Sequence, residues 1–511
     1  MVNGEENAVS GSGDSQASTR GYHLPSLFKS SLLYVAGDLG TKVLTVFLIP
    51  LYTRVLTPED YGIIGYAGAL INVLSPLVGL GLIGNMPVLY YAYEGEERHR
   101  LVSSVFNLTF LYALILTGLF FLFGPPIFAK IAPDIPFYPY IVISLVTLFL
   151  TTFYYLPPRL FNIQERASAY MGYGLILSLL GIGANVVLLL ILRLGAVGAL
   201  WANLLMGAGG LFTVFLILRK NYLPVVDRDK IKALLHLSLP TLPHLFCSTL
   251  GRFADRFFLA GVVGLAATGF YSLAMNISTL ILLVMGGVTT ALNPMFYRRA
   301  NQQDETLPAD WARLSTLVIF GAAWVSLGLA VMGSELVHLL APPKYYDTIP
   351  LLPVLALGQA VTMLYWLLAP GISHTRKTWV YPLASFPAMA VNLLLNAVLV
   401  PRFGGMGAAW AMVVSATTQT LIFGYFSRRF FPVAYEYRQI GKVVILSAAL
   451  FAVSKLPFLA VFWVGLVFKP FLLACLPLGL LAGGFFSTQE IQAGKHFVRK
   501  LAGLSPADNQ N

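Results

Sequence analysis

Three charged residues lie in an apolar stretch between residues 241 and 276, where they could bind an anion. Arg252, Asp255 and Arg256 are spaced i, i+3 and i+4, so a helix would place all three on one face. Charges at hydrocarbon depth are costly and normally face a protein interior or a water-filled cavity. Guanidinium groups suit phosphate oxygens, and a carboxylate can take up a proton or help to bind Na⁺. The spacing therefore predicts Arg252, Asp255 and Arg256 as substrate-binding residues of a polar cavity.

A second charged pair, Asp38 and Lys42, lies in the middle of the first apolar segment, one helical turn apart. Lys42 could join the arginines in holding a diphosphate, and Asp38 could couple binding to H⁺ or Na⁺. These residues are therefore also candidate substrate-binding residues. The structural alternative, which applies equally to Asp255 and its arginines, is that each carboxylate only neutralises a neighbouring cation and so makes its burial tolerable.

The elements that must position these charges are membrane helices. The chain has 511 residues, of which 57% are hydrophobic and 11% charged, whereas about a quarter of a soluble domain is charged. About 20 apolar residues cross the hydrocarbon core as a helix. By that measure the sequence predicts an all-α polytopic membrane protein with fourteen spans, near residues 27–53, 61–91, 101–124, 136–158, 167–192, 196–218, 233–262, 267–296, 311–341, 348–370, 377–400, 404–427, 439–458 and 463–486.

The lysine and arginine distribution predicts the orientation. Most of the 33 basic residues fall in segments that share one side of the membrane, which the positive-inside rule assigns to the cytoplasm. The opposite loops carry only Arg54, Lys130, Arg193, Lys344, Arg402 and Lys455. We therefore expect a multi-pass protein of the cytoplasmic (inner) membrane with both termini in the cytoplasm. Residues 1–25 and 488–511 are expected to be cytoplasmic tails, the first of them disordered because it is polar and rich in Gly and Ser.

The first six spans and the next six are related by an internal repeat. At an offset of 207, Gly62 matches Gly269 and Ala67 matches Ala274; at an offset of 209, the segment from Arg193 to Ala202 matches the segment from Arg402 to Ala411. A repeat of six helices is parallel, with a pseudo-two-fold axis along the membrane normal. We therefore expect two pseudo-symmetric six-helix lobes, residues 26–220 and 230–428, followed by two extra helices in residues 438–487. Spans 1 and 7, which carry the charges, are counterparts.

Several other functions lack the residues they need. No GxxxxGK[ST] run is present, the GxGxxG of residues 79–84 lies within an apolar helix rather than a βαβ unit, and no histidines have metal-ligand spacing. The basic residues are spread over short loops, which does not indicate a nucleic-acid partner. No loop is long enough for an extramembrane catalytic domain, so a membrane glycosyltransferase, polymerase or ligase is disfavoured. We expect a secondary transporter rather than an enzyme, with no cofactor and no bound metal.

Two segments carry a family resemblance. Residues 28–67, which include LTPEDYG, and residues 255–274, which end in TGFYSLA, resemble the polysaccharide-biosynthesis (Wzx-type) flippases of the superfamily that includes the MATE exporters and the lipid II flippase. The resemblance implies alternating access and an undecaprenyl-diphosphate-linked oligosaccharide, a polysaccharide precursor of the cell envelope, as substrate. It also implies a surrounding phospholipid bilayer, H⁺ or Na⁺ as a coupling ion, and polysaccharide polymerase or assembly proteins as partners.

Two alternatives stay open. A MATE-type multidrug/cation antiporter would need an acidic cavity, whereas Lys42, Arg252 and Arg256 outnumber Asp38 and Asp255 in the predicted spans. A lipid II flippase differs only in the glycan it carries, and fourteen spans resemble that branch in number. The intramembrane charges favour an anionic substrate, which both flippase functions share.

Overall fold

The computed structural model describes residue 40 and residues 48–220, 222–457, 462–488 and 490–492. Most of the first predicted span, including Asp38 and Lys42, lies outside these residues. Only its end is described, as a helix that begins at residue 48 and ends at residue 55. The roles predicted for Asp38 and Lys42 therefore stay predictions.

The described residues form an all-helical protein without β-strands, which confirms the predicted fold class. In chain order the α-helices are α1 Pro58–Gly79, α2 Leu82–Tyr90, α3 Gly95–Ile131, α4 Val142–Tyr154, α5 Leu156–Ile163, α6 Ala167–Asn185, α7 Gly195–Leu218, α8 Arg228–Ser238, α9 Leu242–Val262, α10 Leu265–Ser278, α11 Leu280–Asn301, α12 Leu307–Leu340, α13 Leu351–His374, α14 Val380–Phe430, α15 Tyr437–Ser454 and α16 Phe462–Ala482. Eleven helical stretches within the described residues are long and apolar enough to cross a membrane.

The eleven stretches and the fourteen predicted spans differ for local reasons. Helix α14 contains two predicted spans joined at Gly404, whose φ of 55° and ψ of −134° bend the chain sharply. Helix α9, with its three charges, is the main part of the seventh predicted span. The three charges keep α9 out of the eleven apolar stretches, although its length would suffice, and the 3₁₀ turn Leu239–Thr241 separates it from α8 at Pro240. The first predicted span accounts for the remaining difference.

The outer end of α1 is fixed by local sequence. Thr57 and Asp60 form a capping box, with the Asp60 backbone N–H donating to Thr57 Oγ1 at 3.1 Å and the Thr57 N–H donating to Asp60 Oδ2 at 3.2 Å. Pro58 occupies the first helical position, where its missing N–H costs nothing. Lys344 Nζ reaches across to donate to the Leu56 carbonyl oxygen at 2.6 Å. These contacts tie the loop before α1 to the loop before α13.

Helices α1 and α10 cross at two glycines that the repeat relates to each other. A Cβ added to Gly62 would lie 2.0 Å from the Leu265 carbonyl oxygen, and one added to Gly269 would lie 2.0 Å from the Pro58 carbonyl oxygen. Only glycine permits backbones to approach so closely. This crossing lies near the first turns of α1 and α10, and it brings the two halves of the repeat together there.

The buried side chains divide along the repeat. The largest apolar cluster of the described residues takes most of its buried members from the first half and adds Ile231, Leu234 and Ala260 from residues 230–428. Further clusters lie within the second half, and another joins α12 to α15 and α16. This arrangement fits a lobe for each half with the last two helices attached to the second. The exact lobe limits, residues 26–220, 230–428 and 438–487, stay predictions.

Candidate substrate cavity

The second half encloses a cavity of about 390 Å³ between α9, α10, α13 and α14. Such a volume lies within the roughly 300–1,000 Å³ of small-ligand sites. Its lining is polar for a membrane interior. The polar and aromatic lining residues are Ser248, Arg252, Phe253, Arg256, Asn276, Thr279, Gln359, Thr362, Tyr365, Trp366, Ser385, Asn392, Ser415 and Gln419.

Arg252 presents its guanidinium group to this cavity. The residue is exposed although it lies in the middle of α9, because the surface it exposes belongs to the cavity. No carboxylate of the described residues forms an ion pair with it, and Tyr365 shares the cavity lining with it. An arginine held at hydrocarbon depth without a counter-charge is expensive. Arg252 can therefore accept an anionic ligand without giving up a described ion pair.

Asp255 and Arg256 are arranged differently, because they bind each other. Arg256 Nη1 lies 2.9 Å from Asp255 Oδ1, and the Arg256 backbone N–H donates to the same oxygen at 2.9 Å. The hydroxyl of Tyr271 donates to Asp255 Oδ2. Asp255 is 3% exposed and Arg256 is 6% exposed. The pair is thus neutralised and hydrogen-bonded, although Arg256 also borders the cavity.

The three charges predicted from α9 are therefore close together but not equivalent. Arg256 Nη1 also donates to the Arg252 carbonyl oxygen at 3.3 Å, which fixes its direction along the helix. Its guanidinium carbon lies 5.1 Å from the centre of the Phe253 ring and 5.5 Å from that of the Tyr271 ring, within the range of cation–π attraction. Substrate binding by these three residues stays a prediction.

Four side-chain amides complete the polar lining. Asn276 Nδ2 donates to the Tyr61 hydroxyl at 3.0 Å, and so links α10 to α1 across the two halves. Gln359 is buried on α13, whereas Asn392 and Gln419 come from the two arms of α14. No sequence pattern predicted Gln359, Asn392 or Gln419 as cavity residues. An amide within an apolar run was the available signal, but hydropathy alone does not say which amides meet.

A second buried ion pair lies outside the cavity, and the sequence patterns did not predict it either. Lys469 Nζ of α16 lies 2.6 Å from Glu335 Oε1 of α12 and 3.2 Å from Ser334 Oγ. Ser334 in turn donates to Glu335 Oε2 at 2.8 Å. Both charges are nearly inaccessible, so each needs the other. The pair fastens the last helix to the second half of the chain.

Comparison with known proteins identifies the family. Residues 51–350 match the family model described as "Polysaccharide biosynthesis protein". The chain belongs to this family. It is 24% identical over 382 residues to the succinoglycan biosynthesis transport protein ExoT of Rhizobium meliloti, a match that covers 68% of this chain and 72% of ExoT. It is 20% identical over 202 residues to the probable low-salt glycan biosynthesis flippase Agl15 of Haloferax volcanii, covering 38% of this chain and 42% of that relative.

Solved structures share the fold of this family member. The lipid II flippase MurJ in an inward closed conformation superposes with a TM-score of 0.66 at 15% identity, covering 89% of this chain and 97% of MurJ. An inward-facing MATE multidrug-resistance transporter superposes with a TM-score of 0.60 at 14% identity, covering 81% of this chain and 99% of the transporter. At these identities the likeness shows the fold alone, which is a multi-pass helical membrane transporter fold.

Proposed function

We propose that this protein is a flippase that moves a polyprenyl-diphosphate-linked oligosaccharide, a precursor of a cell-envelope polysaccharide, across the cytoplasmic membrane by alternating access. The observation that carries the proposal is the cavity around Arg252 in a member of the polysaccharide biosynthesis family. Arg252 has no ion-pair partner in the part of the chain that the structure describes, and amides and aromatic rings surround it. Relatives named as a glycan biosynthesis flippase and a succinoglycan transport protein support it.

The cavity's chemistry suits a glycan joined to a phosphate. A guanidinium group donates two parallel hydrogen bonds to phosphate or carboxylate oxygens. Asn276, Gln359, Asn392 and Gln419 can donate to and accept from sugar hydroxyls. Trp366 offers a ring face to the apolar side of a sugar. A polyprenyl chain would stay in the lipid, because transfer of its apolar surface from lipid into this polar cavity would gain no free energy.

Cation export of the MATE type is the weaker function for this cavity. Its described lining contains two arginines and no carboxylate, since Asp255 faces Arg256 and Tyr271 instead. An organic cation would therefore meet like charge on entry. A lipid II flippase remains an alternative because its substrate has the same diphosphate. In either flippase function H⁺ or Na⁺ would be the coupling ion, with Asp38 and Asp255 as its candidate sites, and a polymerase would be the downstream partner.

The orientation belongs to the same proposal. The distribution of basic residues favours a cytoplasmic location for both termini, and the Gly62–Gly269 crossing would then close the outer side. In this arrangement the substrate enters from the cytoplasmic side. The lobes then have to separate at the crossing to release it into the outer leaflet.

The test measures translocation of a fluorescent undecaprenyl-diphosphate oligosaccharide in proteoliposomes, with a membrane-impermeant quencher to report the leaflet. The assay is run in two arms, with and without an imposed H⁺ or Na⁺ gradient. We expect wild-type protein to expose the label on the far leaflet. Arg252→Gln should reduce the initial rate at least about tenfold, as loss of one charge-assisted contact predicts.

The matched control is Arg298→Gln, which removes an exposed arginine from the last turn of α11, away from the cavity lining. Its rate should equal that of wild type. Transport of small organic cations without movement of the lipid-linked glycan would overturn the flippase function. An unchanged rate in Arg252→Gln would remove Arg252 from the site.

A further inference from the structure

A second recess lies behind the cavity, on the opposite faces of α13 and α14. It consists of two adjoining volumes of about 760 Å³ and 420 Å³, which share Ile319, Leu364 and Val444. Helices α12, α13, α15 and the second arm of α14 form its walls. We call it the α15 groove. It extends from Tyr435 and Tyr437, at the start of α15, to Phe451 near the other end of the same helix.

Two helices separate the α15 groove from the polar cavity. On α13, Gln359 and Thr362 face the cavity, whereas Val361 and Leu364 face the groove. The second arm of α14 is divided in the same way, with a polar side towards the cavity and Leu421 towards the groove. The two sites therefore lie on opposite sides of one wall, so a molecule in the groove does not occupy the cavity.

The groove is apolar along its length and basic at one end. Leu421 is 68% exposed and Val444 is 57% exposed, as expected of any surface that faces lipid. The basic end, in contrast, is not a feature that every lipid-facing surface has. Arg428 donates through Nη2 to the Tyr437 hydroxyl and lies 4.9 Å from the centre of that ring. Arg429 beside it is exposed and forms no ion pair with any described residue.

Two hydroxyl groups in the groove wall also lack partners. Ser315 Oγ lines the half near the arginines and Ser447 Oγ lines the other half, and neither buried atom has a hydrogen-bond partner in the described structure. Buried hydroxyls are normally hydrogen-bonded. Both positions could therefore meet a polar atom of a molecule that occupies the groove.

The internal repeat shows how this recess differs from the equivalent region of the first half of the chain. At the offset of 209, Arg428 and Arg429 correspond to Arg219 and Lys220 at the end of α7, so both halves carry a basic pair there. Gly424, which lines the groove, corresponds to Phe215. A glycine in place of a phenylalanine leaves room beside α15, since the nearest atom to an added Cβ is a Leu368 methyl carbon at 3.8 Å.

We propose that the α15 groove binds a phospholipid with an anionic head group, its phosphate at Arg428 and Arg429 and an acyl chain along the apolar wall. Charge complementarity selects the occupant, because basic residues at the membrane face attract anionic lipids and a chain needs the apolar length that the groove provides. Helices α13 and α14 separate the groove from the cavity, so the glycan of a transported lipid bound in the groove could not reach the cavity. The transported lipid is therefore not the expected occupant. The bound phospholipid thus braces α15 against the second half of the chain.

The test is native mass spectrometry of the full-length protein, stripped of lipid in detergent and titrated with dioleoyl phosphatidylglycerol or dioleoyl phosphatidylcholine. We expect the phosphatidylglycerol adduct to form at a concentration about tenfold lower. The double variant Arg428→Gln/Arg429→Gln should abolish that preference, since each basic residue contributes to binding of anionic lipid. Gly424→Phe, which supplies the residue of the other half, should reduce binding of both lipids by filling the groove.

The matched control is Arg219→Gln/Lys220→Gln, which removes the equivalent charges of the first half and should leave the preference intact. Equal binding of the two lipids by wild type would overturn the proposal. So would an equal loss in the control, which would indicate general surface charge. Displacement of phosphatidylglycerol by undecaprenyl phosphate would assign the groove to the transported lipid, and unchanged binding in Gly424→Phe would place the lipid elsewhere.

Discussion

Partners, rather than residue type, decide what each charge of α9 can do. Arg252 has a cavity in front of it and no described carboxylate, whereas Arg256 is held by Asp255 only one residue away along the chain. Asp255 is held in turn by the Tyr271 hydroxyl from the next helix. At the residue scale, one arginine is therefore available to a ligand, and the other is part of the structure that holds α9 against α10.

Removal of Asp255 should therefore destabilise the protein more than removal of Arg252. Asp255→Ala leaves Arg256 buried without its counter-charge, which typically costs about 3–5 kcal/mol, and we expect a clearly lower Tm in detergent. Arg252→Ala removes an unpaired group and should change the Tm little. The double variant Asp255→Leu/Arg256→Leu should recover much of the loss, because no buried charge remains. Equal Tm values for Asp255→Ala and Arg252→Ala would contradict this division.

Glycines and ion pairs determine how the helices meet at the scale of elements. The crossing of α1 and α10 depends on Gly62 and Gly269, where a side chain has no room. The attachment of α16 to α12 depends on Glu335 and Lys469, two buried charges that form no other ion pair with a described residue. One contact is a close approach of two backbones, joined nearby by the neutral hydrogen bond from Asn276 to Tyr61, and the other is a buried ion pair. The first can separate at little electrostatic cost, whereas the second cannot.

Gly269→Leu should open the outer face of the molecule. Its Cβ would lie 2.0 Å from the Pro58 carbonyl oxygen, far inside the roughly 3.3–3.6 Å of a carbon–oxygen contact, so the helices must move apart. The measurement is labelling of Ser248→Cys, which lines the cavity, by a membrane-impermeant maleimide added from outside, in a background without Cys247 and Cys475. We expect faster labelling in the Gly269→Leu background.

Gly68→Leu provides the control for this experiment, because no atom lies within 4 Å of a Cβ added to Gly68 on α1. It should leave the labelling rate unchanged. An equal acceleration by both variants would mean that the Gly62–Gly269 contact does not close the outer face.

The connection between the two halves is asymmetric at the scale of the whole molecule. Helix α8, which follows the first half, is fastened to it by Lys230, whose Nζ lies 2.5 Å from Glu97 Oε2 of α3 and 2.6 Å from Asp227 Oδ2. Asn85 Nδ2 of α2 also donates to Ser238 Oγ at 3.1 Å, at the end of α8. The chain turns directly afterwards, at Leu239–Thr241. We infer that α8 moves with the first half and that the lobes pivot at this turn.

Lys230→Met should release α8 from the first half. The hydrogen bonds that Lys230 donates to Asp227 and Glu97 raise the pKa of Lys230 and lower the pKa of Asp227. The Asp227 contribution to stability is therefore present above its ordinary pKa and lost as the pH falls below that value. At neutral pH we expect faster hydrogen exchange across residues 228–238 in Lys230→Met. Lys232→Met, on the exposed face of the same helix, should exchange like wild type, and an equal increase there would refute the anchoring role.

Sequence alone determined the class, the approximate spans and the repeat. Hydropathy reports these features because the bilayer imposes one length on every crossing helix, and that constraint acts on each segment separately. The repeat was readable because it survives as matched residues such as Arg193 and Arg402. The same reasoning found Arg252, Asp255 and Arg256, since a charge in an apolar run stands out wherever the run is packed.

Only the tertiary structure decided which of these groups meet. Tyr271 reaches Asp255 across a helix boundary, and Lys469 reaches Glu335 across 134 residues. Gln359 joins Arg252 in one cavity because α14 packs against both α13 and α9. Hydropathy assigns depth but no azimuth around the helix, so it cannot distinguish the side of α13 that faces the cavity from the side that faces the α15 groove. That choice depends on helix packing, which involves residues far apart in the chain.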